Sequence, residues 1–208
     1  MIPIDVALLF MGAAIALAAV PGPDNIFVMT QSALYGRVSG VIVTLGLASG
    51  LIVHTTAAAL GVAVIFQTSQ TAFAILKYAG AAYLVYLAYQ AFTASGSKLN
   101  AEDAPRIPTR KLYLRGLIMN IANPKVTIFI LAFLPQFVDP ANGPLIPQFY
   151  QLGALMFLAT LIVFGGVALA AGTLGALLRG SASVQLWLNR VSGMIFVALA
   201  LKLATAER

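Results

Sequence analysis

Residues 6–35 read VALLFMGAAIALAAVPGPDNIFVMTQSALY, an apolar run with one charged residue, Asp24, placed directly after Pro21-Gly22-Pro23. A helix that spans a bilayer needs about 20 apolar residues, and this stretch exceeds that length. The prolines break it. Each removes a backbone donor and the second clashes with the preceding turn, while Gly22 permits unusual backbone angles. In lipid, carbonyls freed before a break and amides freed after it are tolerated only where protein or water satisfies them. The alternative is an interfacial turn that ends a short helix at Val20; the apolar residues Ile26 to Met29 beyond the break argue against it.

Composition carries the same message outward. The chain has 208 residues, 61% hydrophobic and 9% charged, with mean hydropathy +0.95. A soluble domain carries about 25% charged residues, so the bulk of this surface must face lipid and a soluble enzyme is excluded. Six spans would use roughly 120 residues, which leaves short loops, one longer connector and no room for an extramembrane domain. The formal charge of +6 comes from cations in loops beside apolar stretches, a topology signal rather than a nucleic-acid patch. Zero cysteines excludes disulfides and thiolate metal sites. The N-terminus lacks the basic opening of a cleaved signal, so the first segment reads as an uncleaved span.

A second uncharged stretch, residues 38–76, is cut by Gln67, Thr68, Ser69 and Gln70 into a long helix and the start of a third. That third helix is expected from about Ala72 to Phe92, with Lys77 close enough to one end to snorkel. Residues 95–111 form the hydrophilic connector, with Lys98, Glu102, Asp103, Arg106, Arg110 and Lys111. A fourth apolar segment covers about Leu112 to Val138. A turn follows at Asp139, Pro140, Asn142, Gly143, Pro144 and Pro147. The fifth and sixth helices are expected at about Phe149–Leu178 and Val184–Leu203.

The fold class is therefore an all-α polytopic membrane protein with six transmembrane helices in one domain, residues 1–208. Its halves are residues 1–94 and 112–208. Lys and Arg concentrate in the odd loops: Arg37 in the first, Lys98, Arg106, Arg110, Lys111 and Arg115 in the third, Arg179 and Arg190 in the fifth. Those loops read as cytoplasmic and both termini as external, although Lys202 and Arg208 oppose this. A five-span version, with the first helix not crossing fully, is the alternative. Each half opens with a helix broken by proline beside a charge, Pro23-Asp24 in one and Pro124-Lys125 in the other. Three spans per half would orient them oppositely, a 3+3 inverted repeat with helices 1 and 4 broken; chance recurrence of proline is the bland alternative.

Asp24 and Lys125 are ionisable groups within apolar stretches, where a charge costs about 2.5–3.5 kcal/mol on insertion scales. As structural residues, Asp24 would cap the restarting helix and Lys125 would snorkel or pair with it. As functional residues they form a zwitterion site. A carboxylate would take an ammonium or a coupling proton, and a lysine with freed amides would take a carboxylate. Asn25, Asn120, Asn123 and Gln136 are candidates to orient a substrate, or simply to bond neighbouring helices. His54, the one histidine, is either a second proton site or a packing residue. Pro21, Gly22, Pro23 and Pro124 are the expected breaks and gates. Gly36-x-x-x-Gly40 and Gly46-x-x-x-Gly50 imply close helix contacts and leave room for a homodimer. No nucleotide-binding loop, hydrolase triad, metal site or cofactor motif is present.

Several of these residues recur together in a known family. Pro21-Gly22-Pro23-Asp24-Asn25, then Gly36, Gly40, Gly46, Gly50 and His54, then Leu76-Lys77-Tyr78-Ala79-Gly80-Ala81-Ala82-Tyr83-Leu84 stand in order. Gly116, Asn120, Asn123-Pro124-Lys125, Phe133-Leu134-Pro135-Gln136-Phe137 and Asn189-Arg190-Val191-Ser192-Gly193 continue the series. Over nearly its whole length the chain resembles the LysE/RhtB family of bacterial amino-acid exporters, with Ala200 where many relatives carry Gly. The resemblance implies six helices in the bacterial inner membrane and export of amino acids driven by the proton gradient. One intramembrane Asp leans the substrate toward neutral amino acids. The rival readings are a passive pore, a membrane enzyme or a structural subunit.

Overall fold

The computed structural model of the protein describes residues 1–20, 22–62, 70–93, 107–170 and 182–205. Expectations for Pro21, for Gln67, Thr68 and Ser69, for residues 95–106 of the connector, and for Arg179 and Arg208 lie outside the described residues. Among those described, every regular element is helical. The first broken segment is α1 (Ile4–Ala19) and α2 (Pro23–Tyr35), inclined at 64°. Next come α3 (Arg37–Ala57), which ends in a π turn at Ala58–Val62, and α4 (Gln70–Thr93). The second broken segment is α5 (Thr109–Ile121) and α6 (Pro124–Ile128), the latter continued by a π turn at Phe129–Phe133 and a 3-10 turn at Leu134–Phe137. Its two arms meet at 50°. The chain closes with α7 (Leu145–Ala170) and α8 (Ala182–Thr205).

Among the described residues the expected helix boundaries hold to within a few residues; the expected end of the fifth helix at Leu178 lies outside them. Pro147, expected in a turn, instead stands in the first turn of α7, where its missing amide costs nothing. The π turn before Pro135 has a direct cause: that proline supplies no donor to the turn before it.

Around an apolar core, burial departs from that of a water-soluble fold. Leu8, Ile52, Val85, Leu169 and Leu201 are exposed, while Asp24, Gln31, His54 and Asn120 are buried. This is a molecule whose solvent is hydrocarbon. By length and composition α3 with its π turn and α7 each suffice to cross a membrane, and each bent pair adds one more, giving up to four. The helices α4 and α8 have 24 residues each, but polar residues such as Lys77, Gln90, Asn189 and Arg190 dilute their apolar character.

The main helix pairs are α3 on α5, α4 on α8, α3 on α7, α2 on α3 and α7 on α1. The α3–α5 contact is a backbone-to-backbone approach. A Cβ on Gly46 would stand 2.2 Å from the Tyr113 carbonyl oxygen, and one on Gly116 would stand 2.6 Å from that of Val43. The small-residue faces are thus filled within the chain, and they carry no argument for a dimer. Gly36 departs from the expectation: a Cβ there would meet nothing within 4 Å and, at φ +87°, the residue makes the turn between α2 and α3. Phe10 of α1 packs on Phe129 and Phe137, ring centroids 6.4 and 5.2 Å away, and this locks α1 to the α6 segment.

Gly46→Ala is expected to destabilise the protein by about 1–3 kcal/mol through overpacking. Gly12→Ala, with nothing within 4 Å of its Cβ position, should not. Thermal unfolding of the two variants in detergent checks this, and equal melting temperatures would contradict the close approach.

Candidate functional site

The two breaks are assembled from the same parts. Each restarting half-helix has Pro at its first position, Pro23 in α2 and Pro124 in α6, and a charged residue next, Asp24 and Lys125. Proline suits that position because the amide it lacks would have no helical partner there. Asn123 caps α6, its Oδ1 accepting from the Lys125 amide at 3.0 Å. Gly22 gives α2 no side-chain cap.

The breaks then satisfy each other. Lys125 Nζ donates to the carbonyls of Leu17 (3.2 Å) and Val20 (3.3 Å), which α1 leaves free at its end. Asn25 Nδ2 donates to a third, that of Ala18, at 2.9 Å. A cation at a helix C-terminus also meets the negative end of the helix dipole. Gly22 lies beside it: a Cβ there would stand 3.4 Å from Nζ, an ordinary contact. In return Asn123 Nδ2 donates to Asp24 Oδ2 at 2.9 Å. The two charges therefore bridge the breaks through backbone and amide rather than bonding directly to each other.

His54 belongs to the same system. Its Nε2 lies 3.1 Å from the Asn120 carbonyl at the end of α5. A carbonyl can only accept, so Nε2 carries the proton. Gly50 lets Asn120 lie against α3, since a Cβ there would stand 2.5 Å from Asn120 Oδ1. Asp24 and Asn120, 3% and 2% exposed, each keep one oxygen, Oδ1, without a partner. Unsatisfied buried acceptors are uncommon and invite a ligand or a proton.

Two cavities meet at Lys125. The smaller, about 20 Å³, is bordered by Asp24, Asn120 and Thr160 as well as Lys125; it has room for a water-sized group. The larger, about 390 Å³, lies between the two breaks and α4, with Gly22, Pro23, Asn123, Pro124 and Lys125 on one side. That volume falls in the range of small-molecule sites, about 300–1,000 Å³.

Of the residues singled out by sequence, Gly22, Pro23, Asp24, Asn25, His54, Asn120, Asn123, Pro124 and Lys125 come together here. Gln136 does not. It is half-buried in the 3-10 turn, eleven residues beyond Lys125, which is about 16 Å along a helix. Pro21 lies outside the described residues. Two contributors escaped sequence reading. The carbonyls of Leu17 and Val20 leave no mark in side-chain identity. Tyr83, Tyr86, Leu87 and Gln90 of α4 line the larger cavity, and their i, i+3, i+4, i+7 spacing on an apolar helix was a legible sign.

Apolar helices that enclose charge at two interlocked breaks beside a ligand-sized cavity define a multi-pass membrane transporter. The chain belongs to the LysE type translocator family, which it matches over residues 15–207; its work is to move a solute, not to convert one. It is 32% identical to the homoserine/homoserine lactone efflux protein of Salmonella typhimurium over 92% of both chains. It is 30% identical to the leucine efflux protein of Salmonella choleraesuis over 95% of this chain and 94% of that one. A Vibrio cholerae membrane protein is 29% identical over 98% of both. No solved structure matches the chain.

Asn123→Ala removes both the α6 cap and the donor to Asp24. Losing the cap costs about 1 kcal/mol, and the orphaned carboxylate adds about 1–3 kcal/mol. Asn123→Asp, which keeps the cap acceptor, should recover part of the loss only after Asp24→Asn supplies a neutral partner. A double-mutant cycle on thermal stability reads this coupling, and strict additivity would refute it.

Proposed function

We propose that the protein exports amino acids from the cytoplasm across the bacterial inner membrane, by proton antiport with alternating access about the two broken helices. The observation that carries this reading is the pairing of the larger cavity, bounded by Lys125, with two unpartnered buried oxygens, those of Asp24 and Asn120, on the other side of that lysine. An amino acid presents a carboxylate and an ammonium on one carbon. Lys125 and the uncapped amides at the start of α2 suit the first. The free acceptors suit the second, or the coupling proton. The efflux activities named for the two Salmonella relatives agree in class.

Packing supports six spans in two inverted halves. The Met1 ammonium donates to the Asn142 carbonyl at 3.1 Å, and the Ile2 amide donates to Gln151 Oε1 at 3.0 Å. The N-terminus and the turn before α7 therefore share one end of the bundle, and an even number of crossings must separate them. Taking α1–α2, α3, α4 and α5–α6 as one crossing each gives four; a first pair that fails to cross gives three. Some of the packing also matches under exchange of the halves, although the α2–α3 contact has no comparable α6–α7 counterpart. The α3–α5 contact corresponds to α7–α1, while α3–α7 and α4–α8 correspond to themselves.

The larger cavity includes Gln90 and Ala91, in the last turns of α4. That end leads to the connector, the loop richest in Lys and Arg and so the cytoplasmic one. Loading from the cytoplasm suits an exporter.

Counterflow of labelled amino acids in proteoliposomes, with and without an imposed pH gradient, tests the reading. Saturable exchange accelerated by the gradient is expected; gradient-independent, unsaturable flux would instead mark a pore. Asp24→Asn is expected to abolish gradient-driven flux while folded protein remains in the membrane. Normal proton-driven flux in that variant would remove Asp24 from the mechanism.

A further inference from the structure

The walls of the larger cavity differ in kind. One is made of the two breaks and holds Lys125, the only charged residue in the lining among the described residues. The facing wall belongs to α4 and presents Tyr83, Tyr86, Leu87 and Gln90. Tyr83 and Tyr86 pack ring against ring, centroids 5.8 Å apart at 39°. Gln90 Nε2 donates to the Tyr86 hydroxyl at 2.5 Å. Tyr83 is half-buried, while Tyr86 and Gln90 stand exposed at the mouth.

If the substrate carboxylate lies against Lys125, the substrate side chain points toward α4. There, among the described residues, it meets aromatic faces, an aliphatic surface and neutral dipoles, but no carboxylate. A cationic side chain would give up hydration without gaining an opposite charge, and it would do so in the field of the Lys125 ammonium. An anionic side chain would lose hydration against the same neutral wall and compete with the α-carboxylate for the one cation. An uncharged side chain, apolar or hydroxylated, meets neither penalty.

We propose that Tyr83, Tyr86 and Gln90 form the substrate's side-chain pocket and restrict the cargo to amino acids with uncharged side chains. This rests on the amino-acid exporter reading. Selection here works mainly by exclusion, because a charge that finds no partner is penalised more than a neutral group is favoured. Gln90 is the position at which one added charge would reverse the filter. It is exposed, so the change leaves the core intact.

The test compares parent, Gln90→Glu and Gln90→Lys in proteoliposome counterflow with labelled leucine, lysine and glutamate. Each is read as a ratio of transport efficiencies within one preparation, so that protein yield cancels. The parent should favour leucine. Gln90→Glu should raise the lysine-to-leucine ratio about tenfold, and Gln90→Lys the glutamate-to-leucine ratio about tenfold, the scale of one charge-assisted contact. Thr93→Glu, one turn further and outside the lining, should leave the parent ratios unchanged. Unchanged ratios in both Gln90 variants, with leucine exchange intact, would overturn the side-chain pocket but leave the exporter reading standing. A parent that exchanges no amino acid would overturn both.

Discussion

In hydrocarbon a backbone carbonyl without a donor costs several kcal/mol, and that cost governs this fold. Two prolines in the middle of apolar segments free such carbonyls at the ends of α1 and α5. The chain answers with side chains from elsewhere: Lys125 and Asn25 for α1, His54 for α5. Because Lys125 starts one half-helix and serves the end of α1, the first break takes hydrogen-bond partners from the second. The position of α6 against α1, the orientation of Asp24 and the shape of both cavities follow from that exchange.

The same arrangement explains how charge is kept inside a lipid-facing molecule. Asp24 is not neutralised by a direct ion pair. It accepts one amide hydrogen bond and keeps a second oxygen free, while the lysine that balances it is committed to carbonyls. A tight ion pair would have closed the site. Separation by one amide and a helix end leaves one Asp24 oxygen without a partner and leaves Lys125 beside the larger cavity. Glycines at 46, 50 and 116 bring the elements close enough for these reaches; at 46 and 116 the neighbour is backbone and cannot yield.

Much of the site was legible because its residues violate their surroundings. A charge, a proline or an asparagine in an apolar run is expensive, and Asp24, Asn120, Asn123 and Lys125 stood out on that ground. Gln136 stood out equally and lies about three pitches away along its helix, since cost alone does not tell a residue of the two breaks from one near a helix end. Gly36 matched a packing spacing and proved to be a turn, because spacing cannot reveal the sign of φ.

By itself the sequence determined the solvent, the helical class, the two breaks and the family, for these depend on composition and on residues adjacent along the chain. Proline ends a helix wherever it stands, and an apolar run seeks lipid whatever its neighbours. Tertiary structure alone decided which carbonyl Lys125 meets, that Asp24 bonds Asn123 rather than Lys125, and that α4 supplies the cavity's neutral wall. Those are contacts across roughly a hundred residues of chain, between groups with several chemically acceptable partners. Only the packing of helices in space chooses among them.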